Sequence, residues 1–144
     1  MYLHVPFCAS RCGYCDFNTY TATELGGGAS RDEYAETVLA ELRLASRVMT
    51  KKNRKKVDTV FVGGGTPTLL PADDLARILH AIDETWGLAP DAEVTTEANP
   101  ESVDLAYLKT LRKAGFTRIS LGMQSTAPGV LRILERQHSA GRAP

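Results

Sequence analysis

The chain has 144 residues, 43% of them hydrophobic and 24% charged, and its 17 Lys and Arg are balanced by 17 Asp and Glu. That length allows one ordinary domain, large enough to bury roughly two-thirds of the surface its unfolded form exposes. The balance excludes a global basic field for nucleic acid, no apolar run is long enough to span a bilayer, and Met1–Pro6 lacks the basic start and long apolar stretch of a signal peptide, so a cytoplasmic location is expected.

Tyr2–Val5 predicts a short strand that runs straight into a loop carrying all three cysteines, Cys8, Cys12 and Cys15. An odd number of cysteines within eight residues is a poor disulfide framework and fits a metal role in a reducing compartment. Residues 18–30 are polar and contain Gly26, Gly27 and Gly28, the pattern of a flexible loop. A helix is expected from Ser30 to about Met49, capped by Ser30, with Asp32 and Glu33 in its first turn and Tyr34, Val38, Leu42 and Ala45 at helical spacing. The basic run Lys51–Lys56 reads first as a solvated helix end and second as a contact for phosphate or an acidic partner.

Val57–Val62 predicts a buried strand centred on Val60, Phe61 and Val62, followed at once by Gly63-Gly64-Gly65-Thr66-Pro67. A second helix is expected over Pro71–Trp86, with Leu75, Ile78, Leu79 and Ile82 on one face. A third strand is expected at Ala92–Glu97 and a third helix at Val103–Ala114, closed by Gly115. Phe116–Leu121 predicts a fourth strand and Pro128–Glu135 the start of a fourth helix. Four β-α units in succession imply an α/β fold with a parallel sheet, part of a (β/α) barrel. A closed barrel needs about 250 residues. The chain stops just after its fourth pair and His138–Pro144 reads as a tail, so residues 1–144 are expected to be an incomplete domain, a fragment.

The cysteine spacing is C-x-x-x-C-x-x-C. Thiolates are the usual ligands of iron–sulfur clusters, and three on one loop leave one iron of a cubane open to a chelating substrate. Zinc is the competing reading, with His4 or Asp16 as its fourth ligand; three unligated core cysteines is another. In a parallel β/α fold ligands bind beyond the carboxyl ends of the strands. The cysteine loop, the glycine run, Glu97 and Gln124 all fall at that rim. Gly63, Gly64 and Gly65 permit close backbone approach, and their carbonyls with the Thr66 hydroxyl suit an ammonium group. The run is neither a Walker A loop nor a dinucleotide fingerprint, and alone it is an ordinary turn. Glu97 suits ribose hydroxyls, or caps a helix. Arg136 alone reads as a solvated helix charge.

Tyr2-Leu3-His4-Val5-Pro6-Phe7-Cys8 and Cys12-Gly13-Tyr14-Cys15-Asp16-Phe17 resemble the opening of the radical S-adenosylmethionine proteins of the HemN/HemW group. The resemblance continues in Gly63-Gly64-Gly65-Thr66-Pro67, Glu97-Ala98-Asn99-Pro100, Gly115–Ser125 and Arg136-Gln137-His138. It implies a 4Fe-4S cluster on Cys8, Cys12 and Cys15, and S-adenosylmethionine near Tyr2, Gly64 and Glu97. It matches Tyr14, Gly65, Thr66, Gln124 and Arg136 to positions that face a second S-adenosylmethionine in the porphyrinogen-oxidising members. Those members resemble C-x-x-x-C-x-x-C-x-C, whereas Phe17 stands here at the fourth cysteine position. Cys15-Asp16-Phe17 and Glu97-Ala98-Asn99-Pro100 are similar to the HemW side of the group, whose members are haem chaperones.

The resemblance thus implies reductive cleavage of S-adenosylmethionine, an electron-donor protein, haem as cargo and respiratory haem-acceptor proteins as partners. The alternatives are an oxygen-independent coproporphyrinogen III oxidase, with porphyrinogen as substrate in haem biosynthesis, and an inactive fragment.

Overall fold

In the computed structural model, which describes residues 1–23, 25, 30–49 and 55–136, strands and helices alternate from end to end. They are β1 (Tyr2–Val5), α1 (Tyr34–Val48), β2 (Val57–Gly64), α2 (Ala72–Trp86), β3 (Leu88–Ala98), α3 (Leu105–Ala114), β4 (Arg118–Leu121) and α4 (Pro128–Ile133). The strands form one parallel sheet in the order β1-β2-β3-β4. The architecture is α/β, as expected, and the sheet is open, an arc of wall and not a closed barrel. The Gly26–Gly28 run, Lys51–Arg54 of the basic run and the His138–Pro144 tail lie outside the described residues. Among the described residues no helix is long and apolar enough to cross a membrane.

Strand alternation sorts the side chains onto two faces. Leu3, Val5, Val60, Val62 and Val94 turn to one face and are buried there against Ala35, Val38 and Leu42 of α1, Leu75, Ile78, Leu79 and Ile82 of α2, and Leu111 of α3. The four α2 residues are the apolar stripe predicted from the 3.6-residue period. On the other face, pairing sets Tyr2 opposite Phe61, Phe61 opposite Thr95, and Thr95 opposite Arg118. Tyr2 and Phe61 stack there with ring centroids 6.1 Å apart. Phe61 is therefore a half-buried residue of the open face and not part of the strand's buried centre.

Several boundaries differ from expectation for identifiable reasons. Helix α1 starts at Tyr34, because Ser30 and Glu33 form a reciprocal pair one turn earlier: the Ser30 hydroxyl accepts from the Glu33 N–H at 3.1 Å and donates to its carboxylate at 2.9 Å. Asp32 and Glu33 thus precede the helix, and Glu36 is the acidic residue of its first turn. The N-cap of α3 is Asp104, which accepts from the Tyr107 N–H at 2.7 Å and delays the start to Leu105. At its far end Gly115 adopts φ 113°, its N–H meets Arg112 O, and the Phe116 N–H meets Leu111 O. This Schellman arrangement makes Phe116 the buried plug of the helix end, so β4 begins at Arg118. Strand β3 starts early, at Leu88, across a register irregularity between Val57 and Thr59 that accommodates Pro90. Strand β2 runs on through Gly63 and Gly64, so two of the three glycines are strand residues. Helix α4 ends at Ile133, two residues earlier than expected.

Candidate cofactor site

The cysteine loop leaves the carboxyl end of β1 and is pinned at its neck. The Cys8 N–H donates to Tyr20 O at 2.8 Å, and the Tyr20 N–H donates to Pro6 O at 2.7 Å. Phe7 is buried beneath, edge-on to Tyr34. Within the loop the Cys15 N–H closes a turn onto Cys12 O at 3.0 Å, and Arg11 reaches Cys15 O at 3.3 Å. All three cysteines are free and half-buried. Buried Thr19 stands 3.9 Å from the Cys15 sulfur.

The glycine run forms the floor. The Gly65 N–H donates to Val5 O and the Thr66 N–H to Phe7 O, both at 2.7 Å, so the run is stitched to the loop's entry. A Cβ at Gly65 would lie 2.4 Å from Phe7 O and 2.9 Å from the Cys8 sulfur, so only glycine fits beneath that thiol. Gly64 has φ 117°, and its added Cβ would meet the His4 ring and Val5 O at 2.8 Å. The Gly64 N–H donates to Glu97 Oε2 at 3.0 Å, tying the carboxylate of β3 to the floor. Above α4, the Arg136 guanidinium donates to the Cys12 sulfur at 3.3 Å and to Gly122 O.

These elements enclose a cavity of about 450 Å³. Of the cofactor-site residues predicted from the sequence, Cys8, Cys12, Cys15, Tyr14, Gly64, Gly65, Thr66, Glu97, Gln124 and Arg136 line it, whereas Gly63 and Tyr2 do not. Tyr2 stands on the open sheet face below, and is exposed. His4 Nε2 lies 2.8 Å from Asn18 O and Nδ1 lies 2.9 Å from the Tyr2 hydroxyl. A carbonyl only accepts, so Nε2 carries the proton and Tyr2 donates to Nδ1. Both His4 ring nitrogens are thereby engaged, Nε2 bracing the loop's return limb at Asn18 and Nδ1 held by Tyr2 within β1. Asn99, Ser102 and Ser120 also line the cavity and were missed from sequence, as was Thr19. Short hydroxyl and amide side chains at strand ends and in loops carry no periodic signal. The one hint was Asn99-Pro100, which starts a single 3₁₀ turn with the Asn99 side chain accepting from the Glu101 N–H.

Electrostatics separate the groups. Burial pushes the Cys8 thiol up from its ordinary range, opposed by hydrogen bonds from Thr19 and Thr66 and reinforced by Cys15 and Cys12. Burial also raises the Tyr14 phenol, while the Arg136 charge beside it acts in the opposite direction. The Tyr2 phenol is raised by partial desolvation and then by the negative charge of Glu97.

The donor set has a recognisable chemistry. Among the described residues no three His, Cys, Asp or Glu side chains converge closely enough to hold a single metal ion. Three thiols lining one cavity suit a cluster, where each thiolate takes a different metal atom. Arg136 Nε is buried with no partner among the described residues, an orphaned donor beside the thiols.

Comparison with known proteins gives a consistent result. The sequence model of the Radical SAM superfamily matches residues 2–143. A Mycobacterium tuberculosis protein named heme chaperone HemW is 56% identical over 99% of this chain and 36% of its own length. The Escherichia coli protein of the same name is 36% identical, again over 99% of this chain and 36% of its own length. A mouse protein, radical S-adenosyl methionine domain-containing protein 1, mitochondrial, is 37% identical over 99% of this chain and 31% of its length. The chain thus spans about a third of the length of the curated relatives it matches. Among solved structures, the Escherichia coli coproporphyrinogen III oxidase HemN, described as a radical SAM enzyme, superposes with a TM-score of 0.81 at 28% identity, over 96% of this chain and 30% of that one.

Proposed function

The chain belongs to the radical S-adenosylmethionine superfamily, whose members in general use that cofactor with a 4Fe-4S cluster, and from that premise we propose that Cys8, Cys12 and Cys15 hold the cluster and that residues 1–144 act as the radical SAM core of a HemW-like haem chaperone of the cytoplasm. The observation that carries the proposal is the convergence of three free thiols, the glycine floor, Glu97, Gln124 and Arg136 on one cavity. When bound, the cluster supplies the electron for reductive cleavage of S-adenosylmethionine.

The protein's part is binding, orientation and exclusion of water. Gly64 and Gly65 expose backbone beside Cys8, and with the Thr66 hydroxyl they receive the ammonium group of the cofactor. Glu97 has one oxygen engaged by the Gly64 N–H and keeps further acceptor capacity for ribose hydroxyls. Tyr2 supports this side from below through His4. Tyr14, Gln124 and Arg136 form the opposite wall, where a second S-adenosylmethionine or the edge of a tetrapyrrole fits.

The haem-chaperone reading over porphyrinogen oxidation rests on Phe17, an exposed aromatic on the cavity's rim at the fourth cysteine position, and on the identity to proteins named heme chaperone HemW. In that reading haem is cargo, an electron-donor protein reduces the cluster, and respiratory haem proteins are the acceptors. The test is haem titration of the reconstituted full-length protein, run beside an anaerobic assay with coproporphyrinogen III. A stable haem complex without porphyrinogen turnover is the expected result. Turnover to protoporphyrinogen IX without a haem complex assigns the protein to the oxidases instead.

A further inference from the structure

Arg136 lies 124 residues from Cys12 in sequence, yet its guanidinium Nη1 donates to the Cys12 sulfur at 3.3 Å. Further contacts fix this arrangement, one to the segment after β4 and two between the end of α4 and the cysteine loop. The Arg136 Nη2 is fixed by Gly122 O. The Gly13 N–H lies 3.4 Å from Leu134 O. A Cβ at Gly13 would come within 3.2 Å of the Glu135 carboxylate, so the two segments touch. Glu135 has φ 54°, a left-handed conformation unusual for a residue other than glycine. It turns the chain back after α4, and the Arg136 N–H then closes on Leu131 O at 2.9 Å. The guanidinium is held through both terminal nitrogens, and its Nε is buried.

The three thiols are not equivalent as a result. Thr19 and Thr66 offer neutral hydroxyls to Cys8, and Thr19 approaches Cys15. Among the described residues, Cys12 is the one of the three that receives a permanently charged donor, since a guanidinium stays protonated. Hydrogen bonds to cluster sulfurs set reduction potential, and a charged donor stabilises the more negative, reduced state.

We infer that Arg136 is a positioning residue that clasps Cys12 and raises the reduction potential of the cluster this thiolate holds, so that the C-terminal turn of α4 controls how readily the cluster accepts an electron. The inference rests on the cluster assignment made above.

The test is potentiometric titration of the reconstituted chain, followed by electron paramagnetic resonance, with iron and sulfide counted for every variant. Arg136→Gln removes the charge and keeps a shorter donor. It is expected to make the cluster about tenfold harder to reduce, about 59 mV for a one-electron couple. Arg136→Lys restores the charge without the planar fork and is expected to recover part of that shift. Gly122→Ala places a methyl 3.1 Å from Arg136 Nη2, displaces the guanidinium while leaving its charge, and is expected to lower the potential by a smaller step. A loop brace with no electronic role would change iron content and leave the potential of the loaded fraction where it was, and that result overturns the inference. If Arg136→Gln takes up no iron, Arg136→Lys and Gly122→Ala decide, and an unshifted potential in both overturns it. Failure of the parent chain itself to assemble a cluster refutes the cluster assignment, a separate outcome visible before any variant is made.

Discussion

Leu3 and Val5 point into the helices, and Tyr2 and His4, their neighbours in the same strand, point the other way. The contrast holds across the sheet. The helix side is an apolar cluster drawn from β1, β2, β3, α1, α2 and α3. The rim and open face carry thiols, a histidine, carboxylates and guanidinium groups, half-exposed and held by individual hydrogen bonds. Burial of apolar area is non-directional and contributes most of the stability. Each hydrogen bond at the rim contributes only about 1 kcal/mol net, but it fixes a direction. The helix side therefore determines whether the chain folds, and the rim determines where ligand groups point.

The sharpest way to separate the two is to damage each alone. Ile82 is fully buried on the helix side. Ile82→Ala is expected to cost about 3 kcal/mol, read as a lower urea midpoint at unchanged slope, while iron uptake per folded molecule stays at the parent level. Gly65→Ala probes the seam between the regions. Its new methyl would press on the backbone carbonyl of Phe7, which cannot swing aside. A loss of about 2 kcal/mol is expected, now accompanied by reduced iron uptake, because Cys8 sits against the same atom. Removing the α3 cap with Asp104→Ala is expected to cost about 1 kcal/mol, a fall of about 2–4 °C in Tm for a chain of this size, with no effect on the rim.

The smallest effect is a pH dependence. The Tyr34 hydroxyl donates to His4 O at 2.8 Å from the helix side. Burial, then Glu41 and Tyr2, raise its phenol far above the ordinary value of 10.0. The folded chain favours the neutral phenol, so the contribution is present in full below pH 10.0. Above that the unfolded chain loses its proton first, binds fewer protons than the folded chain, and stability falls as pH rises. Tyr107, raised by burial and then by Asp74, acts in the same direction. Tyr34→Phe is expected to flatten the alkaline slope in urea titrations between pH 9 and 11, at a cost of about 1 kcal/mol at neutral pH from the lost hydrogen bond.

The helix side was legible because burial imposes periods. The stripe Leu75, Ile78, Leu79 and Ile82 repeats as a helix must, and Val60 and Val62 alternate as a strand must. The same alternation corrects the expectation for Phe61, which a run of apolar residues concealed. Helix starts were misplaced where a side chain did the capping one turn early or late, at Ser30 and Asp104. At the rim, Cys8, Cys12, Cys15, Gly64, Gly65 and Glu97 were readable because parallel β/α connections bring every strand's carboxyl end to one side. Arg136 needed the family resemblance, since nothing local distinguishes it from a solvated helix charge. Its contact with Cys12 depends on the backward turn at Glu135, a conformation that no residue pattern announces.

The most direct test of the cluster assignment is anaerobic reconstitution with iron and sulfide of the parent chain and of Cys8→Ala, Cys12→Ala and Cys15→Ala. The parent should take up a full 4Fe-4S complement, and the reduced cluster's paramagnetic resonance should change when S-adenosylmethionine is added. Each alanine variant should fold, lose that complement and lose the response. A full iron complement in any one of the three variants would contradict the assignment.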